Sequence, residues 1–510
     1  MTRDADFPQP NPMHRVWAVP LAFASVKLLI WALWSHRYGF HIDELYFIAC
    51  GNHLDFGYVD HAPFVPWIAR LSTELFGDSL RGLRLFSALA GAVSVFLAGL
   101  LAARLGGGRF AQALACLAML TAPVFLRTGN MFAIPSFEPM YWLAASLLLV
   151  RLIQDDNPRL WLGIGAVAGL GLMNKHTMLF FGLGLAVALV LSPQRKHLLT
   201  PWPWLGGAIA LLIFLPNLVW QWAHDWPTLE FVRELNKNVM QRISTPEFLL
   251  GQLLYINPVN ALLWVGGLVW LLALPAGRRY RMLAVIFLTV LAVLLYSKSK
   301  IYYLAPAYPA LLAAGSVAWE GWTQRRRAVR YALVGAMALI GSVLAPVSIP
   351  MLSLPATEKY VSAVTFDALG NVQEITGDLR NMYGWPELVE EVARVYDSLP
   401  PEEQEHTVIV TSGYGSAGAI DLWGSQYGLP GACSVEMSYH LWGLPDKEIT
   451  TVITVGFGAD SLNQAFVDGQ VVAEFKFPIS DKGGRYYPIG VCHQPRIPFD
   501  ELWPRMRRYS

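Results

Sequence analysis

From residue 16 to residue 350 the chain is a succession of apolar runs separated by short polar or basic turns. A bilayer's hydrocarbon core needs roughly 20 apolar residues per helical crossing, because no water is present there to satisfy an open backbone. Runs of this kind fall at 16–34, 82–103, 110–127, 135–153, 203–222, 248–274, 281–297, 301–319 and 331–350. The region 160–191 is too long for one crossing and carries Asn174, Lys175 and His176 in its middle, so it reads as two short helices meeting at a polar break. The total is about eleven spans. Composition agrees: 54% of the 510 residues are hydrophobic and 15% charged, where soluble domains carry roughly one-quarter charged residues.

An odd number of spans puts the two ends on opposite sides. With the N-terminus inside, Arg104/Arg109, Arg151/Arg159, Arg195/Lys196, Arg278/Arg279/Arg281 and Arg325/Arg326/Arg327/Arg330 all face the cytoplasm, as the positive-inside rule asks. The polar, Pro-rich start precedes an apolar run without a small-residue cleavage site, so the first span is read as uncleaved. The expected organisation is a membrane domain over 1–350, with an external loop at 35–81, followed by an extracytoplasmic domain over 351–510. In that tail TVIVTSG, TVITVGFG and VVAEFKF read as strands and WPELVEEVARVYDSL and SLNQAF as helices, a small α/β domain. The net charge of +1 and the scattered placement of 38 Lys and Arg argue against nucleic acid. Four cysteines show no zinc-ligand spacing, and Cys433 with Cys492 is the one pair left open to a disulfide.

Some charges break the topological pattern. Lys175, Lys298 and Lys300 fall at the outer ends of spans, where a basic residue has no topogenic purpose. Each alone is open to a headgroup-snorkelling reading; three together suit an anionic ligand, a phosphate in particular. The stretch 41–70, HIDELYFIACGNHLDFGYVDHAPFVPWIAR, is too polar to span and too aromatic to float free, so it reads as one or two amphipathic helices lying on the membrane. It holds His41, Asp43, Glu44, His53, Asp55, Asp60 and His61, without the i, i+4 signature of a zinc site. Asp43 is open to two readings, a helix N-cap or a catalytic base. Glu138, between Pro135 and Pro139 at the outer end of the fourth span, is an acid at a depth where it needs a partner or a task. Asp43 and Glu138 are expected to face one cavity that opens outward.

The order of motifs resembles the polyprenyl-phosphate-sugar-dependent glycosyltransferases of the GT-C fold. The branch concerned is the bacterial one of the dolichyl-phosphate-mannose protein mannosyltransferase superfamily, which includes the aminoarabinose transferase of lipid A. The resemblance rests on Asp43-Glu44, GYVDHAPFVPWIARL at 57–71, AIPSFEPMYW at 133–142, GLGLMNKHTML at 169–179 and KIYYLAPAYPAL at 300–311. It implies a polytopic α-helical membrane enzyme, a hexosyl- or pentosyltransferase of the bacterial cytoplasmic membrane. Such an enzyme inverts the anomeric carbon as it moves a sugar from a polyprenyl-phosphate carrier to a hydroxyl of a lipid, glycan or protein. It further implies Asp43, Glu44 and Glu138 as catalytic, and Lys175, Lys298, Lys300, Tyr302 and Tyr303 as the donor-phosphate site. His41, Asp60 and His61 would shape the loop or touch substrate. A divalent cation is left open, with no metal ligand assigned. Where the family usually has Asp this chain has Glu138, and Ala62 replaces a Pro of its GYxDHPP-like stretch.

GYGSAG at 413–418 satisfies G-x-G-x-x-G between a strand and a helix, the context of a dinucleotide fingerprint. No clean second strand ends in an acid at the required distance, although Glu436 is nearby, and no extracytoplasmic dinucleotide pool is expected. The stretch instead resembles a YGEAGALDFYG-like segment in tails of this bacterial branch, with Ser416 where Glu is usual. Its glycines are expected to bring backbone close to a ligand or to the membrane domain. Two other classes fit parts of the sequence. A transporter or flippase suits the spans and the broken helix pair but has no evident repeat, and a sensor or scaffold leaves Asp43 and Glu138 unexplained.

Overall fold

The computed structural model describes residues 16–238, 243–365, 375–478 and 486–509. The polar start of the chain lies outside the described residues. Two compact units emerge. One comprises described residues of 1–35, 84–219 and 239–351, and the other those of 36–83, 220–238 and 352–510.

The first unit is helical because its apolar runs must satisfy their own backbone. Among the described residues five helices are long and apolar enough to span: Leu80–Arg104, Ile134–Asp155 with its 3₁₀ start, Trp202–Ala223, Ile301–Trp322 and Arg327–Ser348. Two bent pairs raise the number to seven, and four shorter apolar helices, Ala18–Trp34, Arg109–Thr121, Leu160–Asn174 and Met282–Tyr296, occupy other expected runs. The expected pair of short helices at 160–191 is present as Leu160–Asn174 and Met178–Val190, with Lys175 extended between them. Two expected straight spans are broken. The 110–127 run stops at Thr121 and restarts at Pro123. The 248–274 run turns through 101° at Asn257, whose φ of 75° precedes Pro258, a residue without an N–H. The buried Asn257 amide compensates by donating to the carbonyls of Thr121 at 3.3 Å and Met337 at 3.4 Å. Close packing rests on small residues: an added Cβ at Gly315 collides with the Leu263 carbonyl, and one at Gly267 with that of Leu311.

The second unit is built on a five-stranded sheet ordered β2-β1-β3-β5-β4, from Thr407–Thr411 (β1), Ala432–Ser434 (β2), Thr451–Val455 (β3), Gln470–Lys476 (β4) and Tyr486–Cys492 (β5). Strands β2, β1 and β3 are parallel, with Ile409 opposite Ala432 and Val408 opposite Val452. Strands β5 and β4 add antiparallel, with Ile453 opposite Val491. TVIVT and TVITV are buried along their whole length, as near-continuous apolar strands of a covered parallel sheet should be. The helices expected from WPELVEEVARVYDSL and SLNQAF are Trp385–Asp397 and Ala459–Ala465.

One further expectation changes, and one open question closes. The 41–70 stretch does form two helices, Ile42–Asn52 and Phe64–Phe76, but the first is buried continuously from Glu44 to Gly51 and so is not a membrane-surface helix. Only Phe64–Phe76 shows an exposed apolar side, at Leu71, Leu75 and Phe76. Cys433 and Cys492 are both free and buried. They lie on β2 and β5 with β1 and β3 between them, about 14 Å apart at ordinary strand spacing and beyond disulfide reach.

The glycines of GYGSAG fix where the Ile42–Asn52 helix lies. An added Cβ at Gly415 collides with the Ile42 side chain, and one at Gly418 comes to 2.9 Å from the Leu45 carbonyl carbon. Replacing Gly418 by Val is expected to cost about 1–3 kcal/mol. Thermal unfolding of the detergent-purified chain checks it, with Gly377→Ala, where an added Cβ meets nothing within 4 Å, as the neutral control.

Candidate active site

In the second unit the sequence HIDE closes the start of the Ile42–Asn52 helix. His41 is the N-cap: its Nδ1 accepts the Asp43 N–H at 3.1 Å, and the His41 N–H donates to Glu44 Oε2 at 2.8 Å. This reciprocal cap satisfies two donors that a helix start otherwise leaves open. It occupies the buried Glu44 carboxylate and frees Asp43 of the capping task. Asp43 turns outward with 38% of its side chain exposed, Oδ2 lying 3.7 Å from His41 Nδ1. Its Oδ1 accepts a 2.9 Å hydrogen bond from the Tyr414 hydroxyl.

Two more carboxylates belong to the same unit. Asp60 Oδ1 accepts from the Tyr46 hydroxyl at 3.0 Å and lies 3.8 Å from His61 Nε2. Burial raises its pKa, partly offset by His61 and the Tyr46 hydrogen bond. His61 is enclosed by the rings of Tyr46, Phe47 and Tyr58. Glu436 Oε2 accepts the Tyr414 N–H at 2.9 Å. Burial pushes the Glu436 pKa up to about 7, with Asp60 and Asp43 adding to the rise. Glu436 thus fills the helix N-terminus where a dinucleotide fingerprint would seat its anionic pyrophosphate. The close approach of Gly415 and Gly418 to the Ile42–Asn52 helix accounts for two of that motif's three glycines.

In the first unit Glu138 opens the Glu138–Asp155 helix and is 4% exposed. Lys175, in the break between the two short helices, donates from Nζ to Glu138 Oε2 at 2.9 Å, and the Thr177 hydroxyl donates to Oε1. The ammonium also stands over the Tyr303 ring at 4.5 Å and the Tyr302 ring at 5.2 Å, an arrangement that favours a desolvated cation. A small cavity is bordered by Glu138, Tyr302, Thr128 and Phe125. The structure therefore brings together Glu138, Lys175, Tyr302 and Tyr303. Lys298 is exposed, and Lys300 is half-buried at the start of the Ile301–Ala307 turn. Thr177, Tyr414 and the seating of Glu436 are additions that sequence reasoning did not supply; Tyr414 stood inside a motif read for its glycines and for Ser416. Among the described residues no group of three or more His, Cys, Asp or Glu is placed to hold a metal ion.

A mostly helical membrane unit and a small α/β unit match the GT-C class of glycosyltransferase folds. Residues 60–220 match the family model described as dolichyl-phosphate-mannose-protein mannosyltransferase. The chain is 26% identical over 234 residues to the lipid A galacturonosyltransferase RgtD of Rhizobium johnstonii, covering 44% of this chain and 48% of that protein. It is 31% identical over 224 residues to an undecaprenyl phosphate-alpha-4-amino-4-deoxy-L-arabinose arabinosyl transferase of Pseudomonas fluorescens, covering 40% of each. The aligned region is thus less than half the length of either curated relative. The crystal structure of ArnT from Cupriavidus metallidurans bound to undecaprenyl phosphate superposes with a TM-score of 0.61 at 17% identity, covering 92% of this chain and 97% of that one. Its apo structure gives 0.59 at 16%, covering 94% and 98%. The fold is that of a polytopic GT-C membrane protein with a C-terminal α/β domain, and the resemblance is to the bacterial polyprenyl-phosphate-sugar-dependent glycosyltransferases.

Two consequences are measurable. Removing one partner of a buried ion pair strands the other, typically costing about 3–5 kcal/mol. Glu138→Gln and Lys175→Met are each expected to lower the thermal midpoint, and the double variant to regain part of the loss. Glu436 binds its proton more tightly in the fold than in the unfolded chain, so folding takes up a proton between about pH 4.5 and 7. Its contribution to stability is therefore greatest below this window and is lost as pH rises through it. Thermal midpoints measured across the window should show a smaller decline in Glu436→Gln.

Proposed function

We propose that this chain is an inverting glycosyltransferase that moves a sugar from a polyprenyl-phosphate carrier to an acceptor hydroxyl on the outer side of the bacterial cytoplasmic membrane. The observation that carries this reading is Asp43: a carboxylate released from helix capping by His41, 38% exposed, with one oxygen held by Tyr414. Among the described residues, no side-chain hydrogen bond is made to the other oxygen. The names of the relatives supply the reaction class, and that of the galacturonosyltransferase favours a lipid among the possible acceptors. The five basic loops of the sequence support the sidedness.

In this reading Asp43 takes the acceptor's proton as the acceptor oxygen attacks the anomeric carbon. The bond from that carbon to the carrier phosphate breaks, and the phosphate leaves with the electron pair. Lys175 is the principal cation for the developing charge, with Lys298 and Lys300 contributing. Tyr302 and Tyr303 flank the Lys175 ammonium. Glu138 and Thr177 hold that lysine's break in place. Glu44 and His41 fix the helix start that aims Asp43, and Asp60 and His61 shape the loop behind it.

The test is label transfer in membranes containing wild type or Asp43→Asn at equal protein level, fed a panel of radiolabelled polyprenyl-phosphate hexoses and pentoses. Loss of transfer by about 10²-fold or more in the variant is expected for a general base. Equal transfer would remove Asp43 from the chemistry. Accumulation of unreacted carrier across the membrane in both chains would favour a flippase, the reading that the two helix pairs bent by 102° and 101° also suit.

A further inference from the structure

Helix packing accounts for the Tyr414 ring but not for its hydroxyl. The close contact between its helix and Ile42–Asn52 is made by Gly415 and Gly418, and the Tyr414 N–H is satisfied separately by Glu436. The side chain nevertheless crosses to the other segment. Its ring lies 4.8 Å from that of Tyr46 at an interplanar angle of 37°, and its hydroxyl ends 2.9 Å from Asp43 Oδ1. Burial, with Asp43 and Glu436 next, drives the hydroxyl's pKa well above its ordinary value, so it keeps the proton it donates.

The other groups around Asp43 do not offer an equivalent anchor. His41 Nδ1 faces Oδ2 at 3.7 Å but already accepts the Asp43 N–H, so that nitrogen carries no proton to donate. Asp60 and Glu436 are acids, and Arg508 acts on Glu436. Tyr46 directs its hydroxyl to Asp60 and Ser438. Among the described residues the Tyr414 hydroxyl is the one side-chain donor on Asp43.

The geometry points to Tyr414 as a positioning residue for Asp43: by holding Oδ1 it sets the carboxylate plane and presents Oδ2 as the atom that takes the acceptor's proton. This rests on the reading of Asp43 as the base. In the step itself the acceptor's O–H proton passes to Oδ2 as its oxygen bonds to the anomeric carbon, and the departing phosphate keeps the electrons of the broken carbon–oxygen bond. Tyr414 neither gains nor loses a proton. The C-terminal domain is thereby part of the catalytic apparatus through one hydroxyl.

The experiment compares wild type, Asp43→Asn and Tyr414→Phe as purified full chains with the labelled donor that the wild type uses. Tyr414→Phe removes the hydroxyl and keeps the ring on Tyr46. It is expected to lower kcat about tenfold or more while leaving the donor KM within about twofold and the thermal midpoint unchanged. If Asp43→Asn is inactive but Tyr414→Phe keeps the wild-type kcat, the positioning role is overturned and the base survives. If Asp43→Asn is active, the underlying reading fails instead. Should Tyr414→Phe lose its fold, 3,5-difluorotyrosine at position 414 preserves the shape and makes the hydroxyl a stronger donor. That substitution should weaken the base and lower kcat several-fold, and an unchanged kcat would show that the ring merely fills space.

Discussion

The second unit depends on a place where the glycine backbone of one helix lies directly against another helix, meeting the Ile42 side chain and the backbone at Leu45. The helix Ile42–Asn52 lies against Tyr414–Trp423 because Gly415 and Gly418 leave room for Ile42 and Leu45. From that approach the rest follows geometrically. The cap built by His41 and Glu44 fixes the helix direction, Asp43 projects from its first turn, and Tyr414, one residue before the first of these glycines, reaches its carboxylate. A pattern that in another setting admits a pyrophosphate here admits a helix. The anion-binding position at the helix start is filled by the protein's own Glu436.

The first unit handles charge differently. Lys175 and Glu138 share a polar break among apolar helices, the ammonium bounded by two aromatic rings and the carboxylate held by Lys175 and Thr177. Desolvating both ions is costly, and their attraction offsets that cost only with good geometry and further hydrogen bonds. A phosphate placed here would meet a lysine whose charge is already engaged. The residues that recommend the site for an anion therefore also require Glu138 to share its partner when an anion binds.

Much of the fold was legible because hydropathy and strand patterning are local. The polar break at Lys175, the apolar strands TVIVT and TVITV, and the Trp385–Asp397 helix all stand where their sequences put them. The breaks at Pro123 and Asn257–Pro258 were visible as residues but masked by the apolar runs around them, and β2 has three residues, too few to carry a period. Glu138 and Lys175 were legible as charges out of place in their surroundings, Asp43 as a carboxylate open to two readings, and Tyr302 and Tyr303 only through the family resemblance. Their partners were not. His41 took the cap that Asp looked suited for, and Tyr414 is 371 residues from Asp43, a distance across which no local pattern operates.

That separation has a consequence for the chain during synthesis. The second unit is assembled from an early segment at 36–83, a short one at 220–238 and the tail beyond 352. Its early helix, with Glu44 buried, waits for nearly the whole chain before the surface that covers it exists. Such non-local closure is slow and leaves apolar surface open in the interval. A chain interrupted before Tyr414 therefore carries Asp43 on an uncovered helix, and completion of the tail is itself the event that assembles the carboxylate's surroundings.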